Sequence, residues 1–147
     1  MKYFLDTSAL VKLFHEESGT HIVESIVTDQ ENEIWILELV RVEFYSAMCR
    51  RYRQKEITED NFNNVLNDFE EQMKTFNIES MSSVVLNEAE RLMTKYGRHY
   101  GLRSLDALHL GAFQLLSDKD WFFVCADETL CIVAEKCGMQ VKNPLAE

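Results

Sequence analysis

Three short apolar runs constrain the architecture most: Tyr3-Phe4-Leu5, Ile34-Trp35-Ile36-Leu37 and Trp121-Phe122-Phe123-Val124-Cys125. Each is too brief for a helix and rich in aromatic or β-branched residues, as suits strands buried on both faces. A helical pattern follows each of them. Strands alternating with helices build a mainly parallel sheet with helices on both faces, because parallel pairs need crossover connections. Residues 76–79 and 139–141 read as two further short strands, giving an α/β chain with a small sheet of four to five strands.

Helices are predicted over residues 8–16, 20–29, 38–54, 59–75, 83–96, 105–117 and 128–136. The helix over 38–54 carries Leu39, Val42, Tyr45 and Cys49 as its apolar stripe, and a loop is expected around Gly97 and Gly101. Ser104 reads as the cap of the helix over 105–117, whose apolar residues cover nearly its whole circumference and so place it in the core. Gly138 reads as the end of the last helix. The chain has only five Gly and one Pro, which argues for short connections and few hairpins. Its 147 residues suit one domain, 1–147, without repeat or linker. No run is long enough to cross a bilayer and no signal-peptide pattern opens the chain, so the expected compartment is the cytoplasm and no membrane partner is expected.

The formal net charge of −10 opposes nucleic-acid binding at first sight. Its distribution changes that reading. Residues 58–90 hold eight acids and one base, Lys74. Bases gather instead at Arg50, Arg51, Arg53 and Lys55, and at Lys95, Arg98, His99 and Arg103, where a polyanion could dock while the acidic segment faces away. Cys49, Cys125, Cys131 and Cys137 form no C-x-x-C pair and have no neighbouring His in zinc spacing. Cys49 and Cys125 are expected to be buried, reduced thiols.

Four carboxylates stand in costly or suggestive places. Asp6 ends the first strand, where ligands gather in open α/β sheets; the alternative is that Asp6, Thr7 or Ser8 serves only as the cap of the next helix. Asp127 repeats that position after the strand Trp121–Cys125. Asp106 lies near the start of an apolar helix and needs a cation or hydrogen-bond donors to stay charged. Glu43 falls in mid-helix, beyond the reach of capping, with Leu39 and Ala47 one turn to either side; the alternative is an exposed Glu paired with Arg50. If the four converge at one end of the sheet, their repulsion calls for hard cations. Oxygen-only ligation favours Mg²⁺ or Mn²⁺ over zinc. Two such ions ~4 Å apart can activate water and stabilise the leaving oxygen of a phosphodiester. His109, one turn after Asp106, reads as a hydrogen-bonded core histidine.

The chain resembles a PIN-domain protein of the VapC-type toxin group. The matching pieces are Phe4–Leu13, Val42–Ala47, Leu102–Leu110 and Phe123–Leu130, in the family's order and spanning nearly the whole length. The resemblance implies a three-layer α/β/α PIN-like fold and a metal-dependent ribonuclease with Asp6, Glu43, Asp106 and Asp127 as its acidic cluster. Asp6 and Asp106 would be the main ligands of one Mg²⁺, while Asp127 and Glu43 would complete the site or hold a second ion. It also implies an RNA substrate, a homodimer and a small cognate antitoxin laid across the groove. Two departures stand out: many relatives have a hydroxyl residue where this chain has Cys125, and another where it has Leu37. The competing readings are a catalytically silent PIN-like module that binds RNA or protein, and a stand-alone RNA-maturation nuclease. A haloacid dehalogenase-type phosphatase fits less well, since Ser8 stands where its second Asp is wanted.

Overall fold

The computed structural model describes residues 1–146. Strands β1 (Lys2–Leu5), β2 (Glu33–Leu37), β3 (Asn77–Glu79), β4 (Trp121–Val124) and β5 (Gln140–Lys142) form one sheet in the order β3-β2-β1-β4-β5. Every neighbouring pair is parallel, so the mainly parallel sheet expected from the alternation is wholly so. The helices are α1 (Thr7–Leu10), α2 (Thr20–Thr28), α3 (Val40–Arg53), α4 (Glu59–Met73), α5 (Ser83–Tyr100), α6 (Ser104–Leu116) and α7 (Glu128–Lys136).

Successive strand residues face opposite ways, and this divides the core in two. Phe4 and Phe123 join α5, α6 and α7 on one face, whereas Leu5, Ile34, Ile36 and Val124 join α1 to α4 on the other. The result is three layers. Helices α5 and α6 pack backbone to backbone at Gly111, where an added Cβ would lie 3.2 Å from the Ala89 nitrogen.

Several local expectations are revised. The first helix is a single turn, continued by a 3₁₀ turn over Val11–Leu13. There Lys12 folds inward, 5% exposed, and donates to Glu17 Oε1 at 2.9 Å and the Ser18 carbonyl at 2.8 Å. Helix α3 buries Val40, Phe44 and Met48 rather than the stripe predicted for it; Val42 is 70% exposed and Cys49 is exposed, not buried. Helix α5 runs through Gly97 to Tyr100 and ends at Gly101 in the left-handed conformation. A helical glycine costs about 1 kcal/mol against alanine, less than burial of the adjacent Tyr96 returns. Ser104 is the first residue of α6, not its cap. That helix is not buried all round, since Leu105 and Leu115 remain exposed.

The strand order carries the functional consequence. From the central β1 the chain moves outward through β2 and β3, then returns to β4 and β5 on the other side. The helices after β1 and β4 therefore lie on opposite faces, α1 with one core and α7 with the other. A crevice opens between the carboxyl ends of such neighbouring strands. Asp6 and Asp127 follow those two ends.

Candidate active site

The crevice is a cavity of about 510 Å³ lined by all four singled-out acids, Asp6, Glu43, Asp106 and Asp127, together with Thr7, Ser8 and His109. Each acid stands at a helix start. Asp6 caps α1, Asp127 caps α7, and Asp106 and Glu43 lie in the first turns of α6 and α3. Glu43 is thus not a mid-helix residue, because α3 begins only at Val40. Free N–H groups and the helix dipole make such termini favourable for negative charge.

Capping and a functional role are compatible here, because each cap occupies one face of the carboxylate. Asp6 Oδ1 accepts from Ala9 N at 3.0 Å, and the Ser8 hydroxyl sits 2.8 Å from each Asp6 oxygen. Ser8 Oγ in turn accepts from Ala126 N at 2.9 Å, lacing the end of β4 to the end of β1. Asp127 Oδ1 accepts from Leu130 N at 2.9 Å and leaves Oδ2 toward the cavity. Asp6 is 2% exposed, and burial pushes its pKa from 3.8 to about 6; nearby His109 and the Ala9 N–H oppose that rise, and the Asp106 charge adds to it. Burial likewise raises Asp106, against the pull of Arg103. Burial also pushes Glu43 upward, but His109 and Thr7 outweigh it and hold Glu43 below its ordinary value.

Four residues that the sequence reading did not place in the site belong to it, among them His109, which is buried and hydrogen-bonded as expected but also lines the cavity. Thr7 Oγ1 donates to Glu43 Oε1 at 2.7 Å. Ser8 ties Asp6 to the β4 end, as described. Arg103 donates from Nη2 to Asp106 Oδ2 at 3.1 Å and to Asp127 Oδ2 at 3.0 Å. The available signals were position alone: two hydroxyl residues directly after Asp6, and a base three residues before Asp106. Among the basic residues, Arg50 and Arg103 line the cavity, and none of the acids of segment 58–90 does.

No three His, Cys, Asp or Glu side chains among the described residues stand close enough to hold a metal ion together. Asp106 and Asp127 are closed on Arg103, and Asp6 on Ser8. The donor chemistry nonetheless fits a hard cation: four carboxylates face one cavity, and a guanidinium already stands between two of them.

The model of the PIN-domain family matches residues 3–135. The chain belongs to the PIN-domain family. No curated protein matches it by sequence. Among solved structures, it is similar to PAE2754 of Pyrobaculum aerophilum at 19% identity and a TM-score of 0.67, covering 96% of this chain and 89% of that one. It is similar to the structure of VapBC2 from Rickettsia felis bound to a promoter DNA fragment, at 17% identity, 97% and 98% coverage and a TM-score of 0.63. VapC20 of Mycobacterium tuberculosis, a sarcin–ricin loop cleaving toxin, aligns at 12% identity, 93% and 95% coverage and a TM-score of 0.64.

Both departures of this PIN-domain chain from its relatives lie in the core. Leu37 and Cys125 are fully buried and neither lines the cavity. The Cys125 thiol instead meets that of Cys131 at 2.6 Å.

Proposed function

We propose that this PIN-domain chain is an Mg²⁺-dependent endoribonuclease and the toxin of a toxin–antitoxin pair. The observation that carries the reading is the meeting of Asp6, Glu43, Asp106 and Asp127 in one crevice at the carboxyl end of a parallel sheet. These four would hold the ion, with Asp6 and Asp106 as main ligands and Mn²⁺ able to replace Mg²⁺. A divalent ion held there supplies Lewis acidity toward a phosphodiester oxygen and eases the ionisation of water.

The chain's own residues do the rest. The four helix starts offset the repulsion among the acids. Thr7 and His109 both bond Oε1 of Glu43, which leaves Oε2 without a hydrogen-bond partner among the described residues. That oxygen is the one we assign to orienting the attacking water and taking its proton. Arg50 and Arg103 give the cavity a positive rim for a phosphate backbone.

The VapBC2 complex of Rickettsia felis supports a protein partner, and the sarcin–ricin loop cleaving toxin of Mycobacterium tuberculosis supports an RNA substrate. We read the chain accordingly as a cytoplasmic homodimer silenced by a cognate antitoxin. The deciding experiment is cleavage of structured RNAs in Mg²⁺ by the native chain, Asp6→Asn and Asp106→Asn. Both substitutions should abolish cutting with the circular dichroism spectrum unchanged. Cleavage that survives either one refutes the assignment.

A further inference from the structure

Arg103 immediately precedes α6, and its side chain is 72% exposed, yet it is folded over the acids instead of reaching into solvent. Nε and Nη2 donate to Asp106 Oδ2 at 3.2 and 3.1 Å, and the same Nη2 donates to Asp127 Oδ2 at 3.0 Å. Neither of these carboxylate oxygens has another hydrogen-bond partner among the described residues. One side-chain cation thus bridges carboxylates brought from two separate helices. That is the place a divalent ion requires. The guanidinium and the ion cannot both hold the same two oxygens, because they repel each other and compete for the same lone pairs.

We propose that Arg103 is a built-in counter-ion that a divalent cation displaces from Asp106 and Asp127, and that the displaced guanidinium then binds a phosphate of the RNA strand. The inference rests on the nuclease reading above. The acids are half-buried, but the guanidinium itself lies in solvent, where water replaces it at little cost, so the arginine restrains the acids without sealing them. Once displaced, it keeps its place on the cavity wall. A guanidinium is a planar fork whose paired donors match phosphate oxygens. The substrate then offers it two non-bridging oxygens in exchange for the carboxylates it has left. The acids consequently have a positive neighbour both before and after the ion arrives.

The two roles predict changes of opposite sign when the arginine is removed. Mn²⁺ binding would be followed by titration calorimetry on the full chain without RNA, for the native protein, Arg103→Ala, Arg103→Lys and Asp106→Asn. Binding of phosphorothioate-linked oligouridylate would be followed by fluorescence anisotropy in saturating Mn²⁺. Arg103→Ala should bind Mn²⁺ about two- to fivefold more tightly, the range that exposed ion pairs support. It should bind the oligonucleotide more weakly, with the salt slope reduced by roughly 0.7 for one lost phosphate contact. Arg103→Lys should fall between the two proteins on both measures. A merely structural arginine would weaken both ligands together or neither, and either result overturns the proposal. Asp106→Asn separates this from the parent reading: if Mn²⁺ binding survives it, the metal-site assignment fails whatever Arg103 does.

Discussion

His109 Nε2 lies 2.6 Å from Glu43 Oε1, joining the first turn of α3 to α6 across the floor of the cavity. Thr7 Oγ1 donates to the same oxygen at 2.7 Å, so one carboxylate oxygen gathers groups from α1, α3 and α6. Glu43 is held below its ordinary pKa, with burial opposed by its bond to His109. The other ring nitrogen of His109, Nδ1, is buried without a partner among the described residues. His109→Ala should lower stability by about 1–3 kcal/mol, the cost of stranding a partly buried carboxylate, and should cut RNA cleavage more than Thr7→Val does. Urea unfolding of His109→Ala, Glu43→Gln and the double variant tests the coupling. The double variant should be less destabilised than the sum by at least about 0.5 kcal/mol; simple additivity would show that the contact carries no energy.

Asp6 makes the metal-free protein sensitive to pH. Its folded pKa, about 6, lies above the unfolded value of 3.8, so folding favours the protonated acid. That contribution is fully present below pH 3.8 and is lost as pH rises through about 6. Asp6→Asn cannot ionise, and its side-chain oxygen can still cap α1. In EDTA the variant should match the native chain near pH 3.8 and exceed it above pH 7. The gap should approach about 3 kcal/mol, from the shift between 3.8 and about 6. Denaturant titrations across that range check it, and a gap that fails to grow with pH would contradict the burial of a charged Asp6.

Divalent ions should reverse that penalty. A ligand that binds only the folded state stabilises by about 2.7 kcal/mol at a hundred times its Kd. Thermal unfolding at neutral pH should therefore shift upward with Mg²⁺ or Mn²⁺ in the native chain and remain unmoved in Asp6→Asn and Asp106→Asn. Equal shifts in all three would place the ion elsewhere.

The parts of the site that were legible in the sequence are those where local chemistry and topology agree. Asp6 and Asp127 each follow a run apolar enough to be a central strand, and the parallel sheet brings those runs side by side. Asp106 was legible as a charge at the start of an apolar helix. Glu43, which lines the cavity, was misplaced along its helix, because Glu38 and Leu39 carry no breaker to mark a start before Val40. The buried stripe of α3 was misread for a related reason. Val42 lines the cavity, and Leu39 both lines it and packs against the core, so apolar character there partly reflects the crevice wall. Arg103 was legible only as one of the bases where a polyanion could dock; its bridge to Asp106 and Asp127 was not, since an exposed base before a helix looks like any solvated residue until Asp127 arrives from a distant strand. Pairings of that kind are set by tertiary contact, and a single sequence holds no local trace of them.

The last prediction concerns the frame and not the chemistry. Gly19 opens α2 at φ 88°, and an added Cβ there would stand 2.7 Å from the Pro144 carbonyl oxygen. Two separate costs follow for Gly19→Ala. The left-handed backbone charges an alanine roughly 1–2 kcal/mol, and the C-terminal segment must also move. The total loss in urea unfolding should therefore exceed about 2 kcal/mol, within the usual range for a strained backbone site. A chain ending at Lys142 lacks Pro144 and separates the two. In that background Gly19→Ala should lose only the backbone share, about 1–2 kcal/mol. An undiminished penalty there would mean that Pro144 yields freely, and that the close approach of the two segments contributes nothing to stability.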